Sequence, residues 1–107
     1  MTVNQQIIDT VTPVVPICVP DLYDGESEEY CTFQYSELPA AFGDDTAQAV
    51  RCLVMLHYFA PRKKNTIATR LALRRALVAV FTAPGVENAS DELCQHYVLE
   101  FEAFGEV

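Results

Sequence analysis

A chain of 107 residues has room for one domain, which we predict to span residues 1–107. Half of the residues are hydrophobic, and this predicts a packed core rather than a disordered tail. The net charge of −8 argues against nonspecific DNA binding by the whole molecule, because phosphate affinity is built from many Lys and Arg contacts.

The first third of the chain predicts a helix and then short extended pieces. Residues 3–12 place apolar side chains at helical spacing, and Pro13 follows them, so a short amphipathic helix is expected. Pro16 and Pro20 then interrupt a β-branched segment, which restricts it to short strands at a sheet edge.

The middle of the chain predicts two strands. Cys31, Phe33 and Tyr35 alternate with polar residues, as in a half-buried strand. Residues 39–46 contain Pro, Gly and paired Asp, and they predict a long hairpin connection. Residues 47–60 give the strongest strand pattern, and because both of its faces are largely apolar, we expect a central strand covered on both sides.

The last third predicts a helix, an acidic connection and a strand. Asn65 or Thr66 can cap a helix over residues 66–82, and residues 86–93 form the connection. Residues 95–104 alternate as a strand. The resulting fold class is α+β: one antiparallel or mixed sheet of about four strands with two helices packed on it.

The charges are segregated along the chain. All seven Lys and Arg lie between Arg51 and Arg75, a segment that contains no acid. A molecule with acidic and basic zones can attract a copy of itself head to tail, and this builds rings or filaments.

The helix that carries much of this basic band is apolar on nearly every side. Such a helix is expected to be buried on nearly every side, and a neighbouring subunit could supply cover that a small domain lacks. The alternative is that its arginines only reach to water while its alanine stripe meets the sheet. The residues themselves leave both interpretations open. The candidate interface residues are Arg62, Lys63, Lys64, Arg70, Arg74, Arg75, Glu26, Glu28, Glu29, Asp44 and Asp45.

No catalytic, metal or cofactor motif is found. Cys94 and His96 are the only closely spaced pair of metal-ligand types, without the spacing of a zinc site, and His57 lies among apolar strand residues. The N-terminus has no signal-peptide pattern, and no apolar run approaches the ~20 residues of a membrane span, so we expect a cytosolic protein with reduced thiols and no membrane partner. A Cys/His pair that meets in space stays open.

Four segments of the sequence carry a resemblance to known proteins: PDLYDGESEEYCTFQYSELPAAFGDD, LVMLHYFAP, NTIATRLALRRALVAVFTAPGVENASDE and QHYVLEFEAFGE. Together they resemble small proteins encoded among the head and tail assembly genes of long-tailed DNA phages and prophages. Their order is similar to that of the tail-terminator, or tail-completion, family, and the resemblance covers residues 13–107.

The resemblance implies a compact α+β subunit that assembles into a six-fold ring on the head-proximal end of a tail tube. Such a hexamer stops polymerisation of the major tail tube protein and presents a surface to the head–tail connector protein, while DNA only passes through the lumen. It implies a virion location in the tail, host cytoplasm during assembly, and no enzymatic residue. On this basis we expect the basic band to meet acidic loops of a neighbouring subunit or of the tube protein.

Three alternatives remain at this point. The nearest is a head-closure or connector adaptor, or another minor virion protein. A monomeric nucleic-acid-binding regulator that uses the basic band comes from a different class, although no base-stacking aromatics interleave the basic residues in the sequence. An enzyme would need the Cys/His pair, and rapid selective alkylation of one thiol would be its first sign.

Overall fold

The computed structural model describes residues 1–39 and 50–105, which form two helices and a five-stranded mixed sheet. This confirms the α+β class, with one strand more than predicted. Within the described ranges, no helix is long and apolar enough to cross a membrane. The elements are α1 (Val3–Val11), β1 (Cys18–Pro20), β2 (Tyr30–Pro39), β3 (Val50–Pro61), α2 (Ile67–Val80), β4 (Gly85–Asn88) and β5 (Cys94–Gly105).

The sheet order is β1-β2-β3-β5-β4, so β3 lies in the centre as predicted. The short β1 runs parallel to β2, and every other pairing is antiparallel. β3 pairs along most of its length with both neighbours: Tyr58, for example, lies opposite Cys31 on one side and Tyr97 on the other. The outer strands β1 and β4 are short, and each pairs with only part of the length of its neighbour among the three central strands.

The first backbone amides of both helices bond to side-chain oxygens, from the N-cap residue Thr2 in α1 and from Asn65, the residue before the N-cap Thr66, in α2. The hydroxyl of Thr2 accepts the backbone N–H of Gln5 at 3.2 Å, and the side-chain oxygen of Asn65 accepts that of Ile67 at 3.1 Å. These bonds satisfy amide groups that have no partner within a helix. The bounds agree with the two predicted helices to within two residues at each end.

The core lies between the two helices and one face of the sheet. Alternate side chains of β2, β3 and β5 point into it, and Phe33, Leu56 and Tyr58 are fully buried there. Each such large apolar side chain stabilises the fold by about 1.5–3 kcal/mol. The helices contribute Val3, Ile7, Val11, Leu73 and Leu77.

The expectation that β3 is covered on both faces is wrong. The face that carries Leu53 and Met55 is open, and these side chains are 43% and 36% exposed. Both helices pack on the opposite side of the sheet, where the core lies. The apolar pattern of the second face therefore marks an uncovered surface rather than a second buried layer.

The expectation that α2 is buried on nearly every side is also wrong. Only Leu73 and Leu77 are buried, while Ile67 is 65% exposed. The alternative, in which the alanine stripe meets the sheet, fails as well, because Ala68 and Ala79 are exposed and the two leucines make the contact.

The predicted connection over residues 86–93 contains most of a strand. β4 pairs with β5 over four residues, all of them exposed, so a strand this short gave no apolar alternation in the sequence. The predicted hairpin connection lies outside the described residues except for Pro39, where β2 ends. The predicted start of the next strand, residues 47–49, also lies outside them.

Candidate functional site

The exposed side of α2 carries two of the predicted interface arginines. Arg74 and Arg75 are exposed, and they lie among the exposed apolar side chains of Ile67, Leu71 and Val78. We call these five residues the outer face of α2. A shallow groove of about 270 Å³ runs along it towards Ala83 and Pro84.

Arg70 is held within the subunit. Its Nε donates to the hydroxyl of Thr66 at 3.1 Å, and its guanidinium lies 4.4 Å from the centre of the Tyr97 ring. A cation over an aromatic face is stabilised by about 0.5–1 kcal/mol at an exposed site. Arg70 therefore positions α2 on β5, whereas Arg74 and Arg75 point outward.

Gln95 fixes the basic loop that precedes α2. Its Nε2 donates to the backbone carbonyls of Pro61 and Lys64 at 2.8 and 2.6 Å, and its Oε1 accepts the hydroxyls of Thr66 and Tyr97 at 2.8 and 3.2 Å. The side chain is buried, so these bonds are shielded from water. Sequence reasoning missed Gln95, and the only signal was a polar residue at the start of a largely apolar strand.

Lys64 and Glu29 of the same subunit form an ion pair with each other. Lys64 Nζ lies 2.8 Å from both carboxylate oxygens of Glu29, which also accepts the hydroxyl of Tyr58 at 2.6 Å. Burial opposes the charge of Glu29, but the hydrogen bonds from Lys64 and Tyr58 outweigh it and hold its pKa below the ordinary value. Two predicted interface residues are thus each other's partners.

The other predicted site residues are distributed as follows. Arg62, Lys63, Glu26 and Glu28 are exposed, and a groove of about 490 Å³ is lined by Arg62, Lys63 and Glu28 together with Tyr30 and Phe59. Asp44 and Asp45 lie outside the described residues.

The side chains of β2, β3 and β5 that point away from the helices form the open sheet face. Its five rows, read across the strands, are Tyr30–Phe59–His96, Thr32–His57–Val98, Gln34–Met55–Glu100, Ser36–Leu53–Glu102 and Leu38–Arg51–Phe104. Phe104 is 54% exposed, and Arg51 pairs with Glu102 at 3.5 Å. A groove of about 420 Å³ is lined by Leu53, Met55, Glu100 and Glu102.

One end of the open sheet face is covered by aromatic rings, including that of Tyr23, whose centre lies 4.6 Å from that of Tyr30. Thr32 and Val98 are buried at this end. Phe59 stacks between Tyr30 and His96, with ring centres 4.9 and 4.2 Å away. His57 Nδ1 and His96 Nε2 lie 2.8 Å apart, so one imidazole donates to the other. Burial lowers the pKa of both rings, and the neighbouring His96 adds to this effect at His57.

The thiols show no activation. Burial raises the pKa of Cys18 to about 12 and also raises the pKa of Cys31, so both are protonated at neutral pH. Burial likewise raises the pKa of Cys94, the most accessible thiol, and Asp91 adds to the effect. In residues 1–39 and 50–105, no three His, Cys, Asp or Glu side chains are grouped to hold a metal ion.

Besides the groove lined by Arg62, Lys63 and Glu28, the described part of the chain thus presents two surfaces that combine exposed apolar and charged side chains, the outer face of α2 and the open sheet face. No protein-family model matches the sequence, and no curated protein matches it either.

Proposed function

We propose that the protein is a tail-terminator subunit, a virion structural protein that forms a ring on the head-proximal end of a phage tail tube. The ring ends tube polymerisation and provides the surface for head joining. Its partners are further copies of itself, the major tail tube protein and the head–tail connector protein, and DNA only passes through its lumen. The protein works in the virion tail after assembly in the host cytoplasm.

The observation that supports this proposal is the presence of two unlike uncovered surfaces on one small subunit. The outer face of α2 is apolar with two arginines, and the open sheet face exposes Leu53, Met55 and Phe104 beside Glu100 and the Arg51–Glu102 pair. A ring built from identical subunits by head-to-tail contact needs two different, complementary surfaces on each copy. A monomer that acts alone has no such requirement.

The test combines solution mass with tube capping. Light scattering after size exclusion, at low and high salt, is followed by negative-stain imaging of any large species. The protein is then added to polymerising tail tube protein from the same phage or prophage. We expect rings that loosen with salt and tubes whose growth stops with a ring at one end.

Other outcomes favour the alternatives. Tubes that grow unchanged, together with binding to the head–tail connector protein, would favour a head-closure adaptor. A strict monomer whose binding to DNA falls steeply with salt would favour the nucleic-acid-binding regulator. Either result would contradict the terminator.

A further inference from the structure

We infer that the outer face of α2 from one copy of the chain docks on the open sheet face of the next copy. This inference rests on the proposed ring, and it names the contact that builds it. The contact is head to tail, because the two surfaces belong to different elements of the subunit.

Both surfaces expose large apolar side chains. On α2, Ile67 and Val78 are 65% and 51% exposed, and on the sheet Leu53 and Phe104 remain similarly uncovered. Contiguous apolar patches of more than a few hundred Å² are unusual on a soluble monomer and mark interaction sites. Covering each patch with the other removes both from water at once.

The charges of the two surfaces are complementary. α2 contains no acidic residue, and its outer face presents Arg74 and Arg75. The open sheet face presents Glu100 and Glu102 beside Arg51. Among the ion pairs within residues 1–39 and 50–105, none uses Arg74, Arg75 or Glu100. The charges of these three side chains are therefore available to pair with those of a partner.

Charge also decides between head-to-tail and symmetric contacts. Two copies that met through the outer faces of α2 would bring four arginines together, and two that met through their sheet faces would oppose two faces that each carry two glutamates against one arginine, Arg51. Like charges placed opposite each other in an interface cost several kcal/mol. The unlike pairing avoids both penalties and joins arginine to carboxylate, an arrangement that can form two parallel hydrogen bonds.

The dimensions fit this arrangement. α2 has 14 residues and is therefore ~21 Å long, while β3 has 12 residues and extends over ~40 Å. Stacked rings of Tyr30, Phe59 and His96 already cover one end of the sheet face. The other half, with Leu53, Met55 and the groove beside Glu100, is ~20 Å long and so matches the length of the helix.

Two variants test the contact by blocking one surface each. The helix variant carries Arg74→Glu and Arg75→Glu, and the sheet variant carries Met55→Arg and Glu100→Arg. Each alone is expected to weaken self-association by at least about 100-fold, since like charges then face each other. The controls Arg74→Lys with Arg75→Lys, and Glu100→Asp, keep the charge and are expected to keep assembly.

The decisive measurement is the mass of a mixture of the two blocked variants. Each retains the surface that the other lacks, and the two altered surfaces carry opposite charges, so the mixture is expected to regain assembly, from a heterodimer of twice the 11.9 kDa subunit mass upward. Circular dichroism and unfolding curves of each variant, compared with the unchanged chain, establish that both remain folded. If the unchanged chain assembles only on tubes, each variant alone is expected to lose tube capping.

The outcomes separate this inference from the proposed function. If the unchanged protein forms rings or caps tubes and both blocked variants do the same, the terminator stands and this contact is wrong. If the blocked variants fail singly and their mixture does not regain assembly, the head-to-tail pairing is wrong. If the unchanged protein neither assembles nor acts on tubes, both proposals fall.

Discussion

The hydroxyl of Thr66 donates to the side-chain oxygen of Gln95 at 2.8 Å, and this bond joins the start of α2 to the start of β5. The same amide group holds the carbonyls of the preceding basic loop. One buried side chain therefore sets where both the loop and the helix lie on the sheet.

Replacement Gln95→Leu is expected to lower the free energy of unfolding by about 2–3 kcal/mol. The substitution keeps the side-chain size but leaves the hydroxyl of Thr66 and the loop carbonyls without their partner, and each buried unsatisfied group costs about 1–3 kcal/mol. Urea unfolding measures the change. Gln34→Leu, at an exposed strand position, is the matched control and should stay within about 0.5 kcal/mol. Equal effects of both substitutions would contradict the role of Gln95.

Replacement Tyr58→Phe is expected to lower the free energy of unfolding by about 1.5–3 kcal/mol at pH 7, the range for a hydrogen bond to a charged group. Because the pKa of Glu29 is lowered in the fold, its carboxylate stabilises the protein above pH 4.5, and this stability is lost as the pH falls through the folded pKa. The effect of Tyr58→Phe should therefore shrink in acid. Unfolding curves of both proteins, measured from pH 7 down to the lowest pH at which they are still folded, check this. A loss of unfolding free energy that does not depend on pH would contradict it.

The pair His57 and His96 is expected to make the fold less stable in mild acid. Burial lowers the pKa of both rings, so the folded chain binds fewer protons than the unfolded chain around pH 6.5, and stability falls as the pH drops through that value. His57→Gln removes one titrating group and can keep a hydrogen bond to His96. Its unfolding free energy plotted against pH should be flatter, and a profile parallel to that of the unchanged protein would contradict this.

Alkylation is expected to modify Cys94 first in the native protein. It is the only one of the four cysteines that is not buried, while Cys18, Cys31 and Cys52 lie in the core. Iodoacetamide labelling followed by mass spectrometry should show slow modification of Cys94 and none of the others until denaturant is added, and Cys94→Ser should abolish native labelling. Fast labelling of a core thiol would instead support the Cys/His enzyme.

The sequence pattern predicted those helices and strands that bury only one side in the core. Alternation along β2 and β5 identified both strands, because a strand with one covered face has a period of two, and Phe33 and Leu99 lie on the side that the structure buries. The helical spacing of Val3, Ile7 and Val11 likewise identified α1. In each case the local pattern and the final environment agree.

The candidate surfaces were harder to predict, since apolar character does not tell which side chains the same chain covers. Leu53 is apolar yet exposed, because both helices pack on one side of the sheet and the described residues cover only one end of the other side. Ile67 is exposed because it lies on the side of α2 that points away from the core. The contacts of Gln95 join positions about 30 residues apart, and no local pattern reports such a distance. The pairing of Lys64 with Glu29 is hidden for the same reason.

The position of β5 has a consequence for synthesis of the chain. β5 follows β4 in sequence but lies between β3 and β4 in the sheet, so the sheet cannot be completed until residues up to Gly105 have left the ribosome. Until then, the edge of β3 presents unpaired backbone N–H and C=O groups to other nascent chains. Long-range pairing of this kind slows folding, and we expect the growing chain to depend on chaperones until its final strand is in place.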